Sequence, residues 1–213
     1  MTTLRICFVG DSITLGTGDS RYLGWPGRVC AAEAAHGHDL SLYNLGVRGD
    51  TSVMIAERWR AECAARLPDG YPGALVFAFG VNDTAEEDGS GLRVAVDRSL
   101  SAARAIMTAA AKWRKTLWLG PAPLSDEHAS LPSPTGIQRS FRDARVRQLS
   151  NAYAAIATDL AVPYLDLHER LQREARWSQA LAAGDGVHPA ADGYALVAEL
   201  VGNWSAWRTW IDE

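Results

Sequence analysis

Short apolar runs that stop abruptly at Gly, Asp or Pro, separated by stretches of helical spacing, constrain this chain more than any other feature. Residues 4–9 (Leu-Arg-Ile-Cys-Phe-Val) are rich in β-formers and end at Gly10-Asp11-Ser12, which reads as a buried strand running into a loop. Residues 41–45 read as a second strand. Residues 74–79 (Ala-Leu-Val-Phe-Ala-Phe), closed by Gly80, form a third. Residues 116–119, closed by Gly120-Pro121, and 162–165, followed by Asp166, complete the set. Strands apolar along their whole length suit a parallel sheet covered on both faces. Helices are predicted over 26–35, 52–67, 92–113, 138–160 and 190–210. In the second of these, Val53, Ile55, Ala56, Trp59 and Cys63 fall close to helical spacing. The alternation predicts an α/β, doubly wound fold, three layers deep, with about five parallel strands. No repeat or long linker interrupts it, so a single domain over residues 1–213 is expected. The Pro- and Ser-rich stretch 121–136 reads as an excursion over the sheet's edge.

Composition narrows the class of function. The 213 residues carry 21 Lys and Arg against 25 Asp and Glu, a net charge of −4. So mild an acidity offers no basic footprint for nucleic acid or an anionic membrane. No apolar run reaches the ~18 residues of a membrane span, and the N-terminus lacks the pattern of a signal peptide. A cytoplasmic protein without a stable membrane anchor is expected. Three widely spaced cysteines, Cys7, Cys30 and Cys63, argue against a disulfide scaffold and a structural zinc site.

Open α/β folds place their sites at the carboxyl edge of the sheet, so the loops after the strands are where chemistry is sought. The first reads Gly10-Asp11-Ser12-Ile13-Thr14. A serine at a tight strand-to-helix turn can present its hydroxyl outward, or it can simply cap a helix. Near the other end stands Asp185-Gly186-Val187-His188-Pro189. One loop of that spacing can bring a carboxylate to Nδ1–H and leave Nε2 free to take a proton from a hydroxyl. The plainer reading is a surface turn in which Asp185 bonds the backbone. Two further loops hold donors for a developing oxyanion. Asn44 to Ser52 contains Gly46 and Gly49, and Gly80-Val81-Asn82-Asp83 offers a side-chain amide.

Taken in order, these blocks resemble the SGNH hydrolases, the GDSL-type esterase and lipase superfamily. Gly10-Asp11-Ser12-Ile13 is one residue away from Gly-Asp-Ser-Leu. Gly49 in Arg48-Gly49-Asp50-Thr51 is similar to the second block, Gly80-Val81-Asn82-Asp83 to the third and Asp185 to Pro189 to the fifth. The resemblance implies a flavodoxin-like three-layer fold and a serine esterase or acylhydrolase that uses an acyl-enzyme and no cofactor. It implies Ser12 as nucleophile, His188 as general base and Asp185 as its orienter. Ser12, Gly49 and Asn82 would form the oxyanion hole, with Gly46 as the competing glycine, and Asp11 and Asp83 would hold their loops through backbone hydrogen bonds. Short-chain or small soluble esters are the expected substrates. Acetylated carbohydrates, lysophospholipids and thioesters are the alternatives within the superfamily.

Other residues carry weaker signals. Residues 12–18, with their hydroxyls and glycines, would also suit a phosphate- or flavin-binding module of the same fold class, but that reading gives Asn82, Asp185 and His188 no task. His36, His38, His128 and His168 read as solvated loop residues and not as metal ligands. Trp204, Trp207 and Trp210 form a stripe that packs on the same domain or, alternatively, joins a homo-oligomer. Trp25 lines the substrate entrance or belongs to the core. The run Glu86-Glu87-Asp88 reads as a solvated acidic face that disfavours anionic substrates at the rim.

Overall fold

The computed structural model describes residues 1–88, 90–126, 130–132 and 136–212; His128 and parts of the 121–136 excursion lie outside them. Five parallel strands form the central sheet: β1 (Thr3–Gly10), β2 (Asp39–Gly46), β3 (Gly73–Ala78), β4 (Lys115–Leu119) and β5 (Tyr164–Leu165). Their order is β2-β1-β3-β4-β5, the flavodoxin-like arrangement, whose ligand crevice lies where the order reverses beside β1.

Alternation along β1 explains its continuous apolarity. Leu4, Ile6 and Phe8 enter one core, with Trp25, Val29, Val197, Val201 and Trp207. Cys7 and Val9 enter the other, with Ile55, Trp59, Ile106 and Tyr153. Because both faces are covered, neither set can be polar. The first core is closed by α2 (Gly24–Ala35), α8 (Ala191–Gly202) and α9 (Ser205–Ile211). The second is closed by α3 (Ser52–Ala64), α4 (Val96–Ala111) and α5 (Asp143–Asp159). Trp25 is fully buried and meets Phe8 edge-on at 5.3 Å between ring centroids, so it is core and not entrance. Trp207 and Trp210 are buried in the chain's own core.

The register sets the level of the functional loops. Gly10 pairs with Gly46 on β2 and with Ala78 on β3, so three strands end side by side and their loops emerge together. A one-turn helix, α1 (Ser12–Leu15), follows β1 immediately.

Several sequence expectations are corrected. Residues 138–140, assigned to a helix, form a short strand, and α5 starts only at Asp143. Gln138–Ser140 belongs to a small antiparallel sheet with Glu86–Glu87, Gly91–Leu92 and Ser130–Pro132. The helix expected from 92 begins at Val96, and the last one breaks at Asn203–Trp204 into α8 and α9. Two short helices, α6 (Leu167–Leu171) and α7 (Ala175–Ala182), were missed. His168 is buried, with Nε2 3.1 Å from the Asp143 carboxylate, and is no solvated loop residue. Among the described residues no helix is long and apolar enough to cross a membrane.

Candidate active site

Ser12 opens α1. Asp11 caps that helix in an extended conformation, its Oδ1 accepting the Ile13 N–H at 2.9 Å, as N-cap aspartates do. The Ser12 N–H at the helix mouth has no acceptor among the described residues, consistent with the unpaired donors at a helix start. Thr14, in the segment that resembled a phosphate cradle, spends its hydroxyl on the Ala78 carbonyl.

His188 comes from the turn between α7 and α8, and Asp185 builds that turn. Asp185 Oδ1 accepts the N–H of Val187 at 3.0 Å and of His188 at 2.7 Å. Its Oδ2 lies 2.7 Å from His188 Nδ1. The backbone role and the imidazole role, weighed as alternatives from sequence, coexist in one carboxylate. Burial pushes the Asp185 carboxyl up, but hydrogen bonds from the His188 ring and from the His188 and Val187 N–H groups outweigh it and hold it below its usual range. With Nδ1–H given to that carboxylate, Nε2 is left as an acceptor, and it sits 2.7 Å from Ser12 Oγ.

Gly49 and Asn82 line the same cleft as Ser12 and His188. Gly49 has φ +81°, a conformation glycine adopts freely, and its N–H has no acceptor among the described residues. Gly46, the competing residue, has spent its N–H on Asn44 Oδ1 at 3.0 Å. A Cβ there would lie 2.3 Å from the Leu15 nitrogen, so Gly46 is needed for close packing of β2 against α1.

Asn82 sits in a 3₁₀ turn, Val81–Thr84, directly after β3 and Gly80. Its Nδ2 donates to the Asp50 carbonyl at 3.1 Å and lies 3.4 Å from Asp11 Oδ2. Asp83 accepts the Ser52 N–H at 2.9 Å, the Ser52 hydroxyl, and the Ser99 hydroxyl at 2.7 Å. It thereby ties the Asn82 turn to the start of α3. Asp11 is wholly buried, and burial, with Asp83 and Asp50 nearby, raises its carboxyl to about 7 against the opposing Ile13 N–H and His188.

Sequence reasoning missed the arginines. Arg93 Nη1 donates to the Gly49 carbonyl at 3.0 Å and to Asn82 Oδ1 at 3.4 Å. One guanidinium thus holds the amide oxygen of Asn82, leaving its NH₂ to face away, and anchors the Gly49 carbonyl, whose peptide carries the Asp50 N–H bonded to the Val47 carbonyl. Arg58, on α3, donates to the Gly10 and Leu45 carbonyls and to Asp50, fastening the ends of β1 and β2. Arg48 and Arg139 line the cleft itself. No local pattern marks these positions, because their partners lie in other loops. The cleft measures about 400 Å³, and Val81, Leu131, Phe141 and Val187 supply its apolar wall. Among the described residues no group of three or more His, Cys, Asp or Glu is placed to hold a metal ion.

Comparison with known proteins agrees with this architecture. Residues 8–196 match the profile of the GDSL-like Lipase/Acylhydrolase family, and the chain belongs to that family. No curated protein sequence matches it. Among solved structures, a lipase/acylhydrolase from Enterococcus faecalis superposes with a TM-score of 0.74 at 21% identity, over 98% of this chain and 97% of that one. The acetylxylan esterase Axe2 from Geobacillus stearothermophilus gives 0.70 at 18% identity, over 100% and 95%. A psychrotrophic esterase, EstA, from Pseudoalteromonas sp., in a structure inhibited by monoethylphosphonate, gives 0.68 at 16% identity, over 98% and 99%. At these identities the likeness establishes the fold.

Proposed function

We propose that this chain is a serine esterase that cleaves carboxylic esters through an acyl-enzyme. The observation that carries the reading is the position of His188, 2.7 Å from Ser12 Oγ on one side and 2.7 Å from Asp185 on the other. Ser12 Oγ attacks the ester carbonyl carbon while His188 Nε2 takes its proton, and the imidazolium is stabilised by Asp185. The carbonyl oxygen becomes an oxyanion, received by the N–H groups of Ser12 and Gly49 and the Asn82 amide. To meet it, Asn82 turns one N–H from its long contact with Asp11 while the other stays on the Asp50 carbonyl. Collapse breaks the bond to the alcohol oxygen, which takes the proton from His188. Water then repeats the sequence on the acyl-enzyme, its proton passing through His188 back to Ser12, and the carboxylic acid leaves. The scheme needs no metal or organic cofactor.

A cleft of about 400 Å³ lies near the lower end of the ~300–1,000 Å³ typical of ligand sites, which supports short acyl chains. An acetylated sugar is one alcohol to test, since a structural neighbour is an acetylxylan esterase. Purified protein should hydrolyse 4-nitrophenyl acetate, Ser12→Ala should abolish this, and a phosphonate should label Ser12 by mass spectrometry. Activity retained in Ser12→Ala would overturn the assignment. A series from acetate to palmitate, run beside acetylated sugars, tests chain length, and a rate peaking at palmitate would overturn the short-chain reading.

A further inference from the structure

Charge in the cleft is one-sided. Twelve described residues line it, two of them arginines and none a carboxylate. Arg48, on the loop after β2, is exposed and makes neither a hydrogen bond nor an ion pair among the described residues. Arg139 reaches in from the strand Gln138–Ser140, its Nε on Glu87 Oε1 at 2.9 Å. The same Glu87 oxygen also serves Arg93 Nε at 3.3 Å, so one acid is shared by two guanidiniums. Both terminal nitrogens of Arg139 lack a hydrogen bond among the described residues. Its Nη1 would lie 3.6 Å from a Cβ placed on Gly49, beside the oxyanion donors. None of the acidic run Glu86-Glu87-Asp88 lines the cleft: Glu86 pairs with Arg145 at 2.6 Å, Glu87 is shared by Arg139 and Arg93, and Asp88 is exposed. The lining of the cleft is therefore cationic, whatever the acidic run contributes outside it.

We propose that Arg48 and Arg139 are specificity residues that bind an anionic group, carboxylate or phosphate, carried by the substrate near its ester; this rests on the esterase reading above. A guanidinium presents paired N–H donors that match the oxygens of either anion. In a partly desolvated cleft such bonds discriminate strongly against a neutral analogue. The apolar wall takes the remainder of the substrate, and the two arginines take the charge.

The test compares kcat/KM for matched esters in the full chain. Methyl 4-acetoxybenzoate is the neutral reference for 4-acetoxybenzoate and 4-acetoxyphenyl phosphate, which carry the anion on the alcohol side. 4-Nitrophenyl butyrate is the reference for mono-4-nitrophenyl succinate, which carries it on the acyl side. In Arg48→Gln the anionic-to-neutral ratio should fall about tenfold in at least one arm, and further when Arg139→Gln is added. The arm that moves identifies the anion and its side. Arg48→Glu should favour a choline ester over 4-acetoxybenzoate. Ratios unchanged within twofold in every arm, with Ser12-dependent turnover intact, would overturn the proposal and leave the esterase reading standing. If no ester is turned over, the esterase reading fails, and calorimetric binding of benzoate decides the anion site. Affinity reduced about tenfold in Arg48→Gln supports it, whereas equal or undetectable binding overturns it.

Discussion

Nε2 of His188 and Oγ of Ser12 lie 2.7 Å apart although 176 residues separate them in the chain. What makes this contact chemically useful is the second nitrogen of the same ring, held by Asp185. In Asp185→Asn the amide NH₂ would face Nδ1 and favour the tautomer that carries its proton on Nε2. The ring would then donate toward Ser12 and could not accept. The expected loss in kcat on 4-nitrophenyl acetate is about 10⁴-fold, the effect of the same change in the well-studied serine protease triad. A loss under tenfold would show that Asp185 serves only the turn.

The proposed oxyanion site allows a coupled test. Asn82→Ala should lower kcat by roughly 10²–10³-fold, the loss typical of one missing donor. Arg93→Ala leaves both donors in the chain but removes the guanidinium that holds the Asn82 amide oxygen and the Gly49 carbonyl, so a loss in kcat of about tenfold, roughly one hydrogen bond to a charged group, with a smaller change in KM is expected. If Arg93 acts through Asn82, the double variant should be little slower than Asn82→Ala alone. Fully multiplicative losses would mean that Arg93 acts elsewhere.

The two glycines of the second loop should separate cleanly. Gly46→Ala drives a Cβ to 2.3 Å from the Leu15 nitrogen and 2.7 Å from the Asp11 carbonyl oxygen. These are backbone atoms with little room to yield, and a loss of at least ~3 kcal/mol is expected. Gly49→Ala meets no atom of the described residues closer than 3.6 Å but must hold φ at +81°, a cost of about 1–2 kcal/mol. Urea unfolding of both variants checks the order, and equal losses would contradict it.

Stability should depend on acid through Asp19. Burial pushes this carboxyl up, but Arg28 and the N–H groups of Arg21 and Gly24 outweigh it and bring it down to about 2. Its folded pKa lies below the ordinary 3.8. Its stabilisation is therefore complete above pH ~5 and drains away as pH falls from about 4 to 2. Two pKa units correspond to roughly 2–3 kcal/mol. Asp11 works in the opposite sense: raised to about 7, its contribution declines as pH rises from about 4 to 7. Comparing Asp19→Asn with wild type isolates the first effect. The deficit should be about 2 kcal/mol at pH 7 and shrink toward pH 2, and a deficit independent of pH would refute it.

The strands most legible from sequence are those buried on both sides. β1 from Ile6 to Val9 and β3 from Ala74 to Ala78 announce themselves because these positions are buried on both faces of the sheet. β5 is only Tyr164–Leu165, too short for a periodicity to show, and forms one edge of the sheet. Residues 138–140 read as helix because Gln and Arg are good helix formers; what makes them a strand is pairing with Glu86 and Glu87, some fifty positions earlier. Ser12, Asn82, Asp185 and His188 each sit in a short block whose residue types are needed together, whereas Gly46 and Gly49 share one loop and the family resemblance is what favours Gly49. Arg48, Arg93 and Arg139 could not be picked out in this way. Arginine on a loop is ordinary, and only three dimensions show that one holds the oxygens of Gly49 and Asn82 and that two face the cleft.

The placement of Asp185 and His188 on the turn between α7 and α8 bears on how the protein is born. Ser12, Gly49 and Asn82 emerge from the ribosome early, with the first three strands, while the proton acceptor arrives more than a hundred residues later. On the proposed mechanism, a nascent chain would carry Ser12 without its general base until the turn between α7 and α8 has been made and α8 packs on α2.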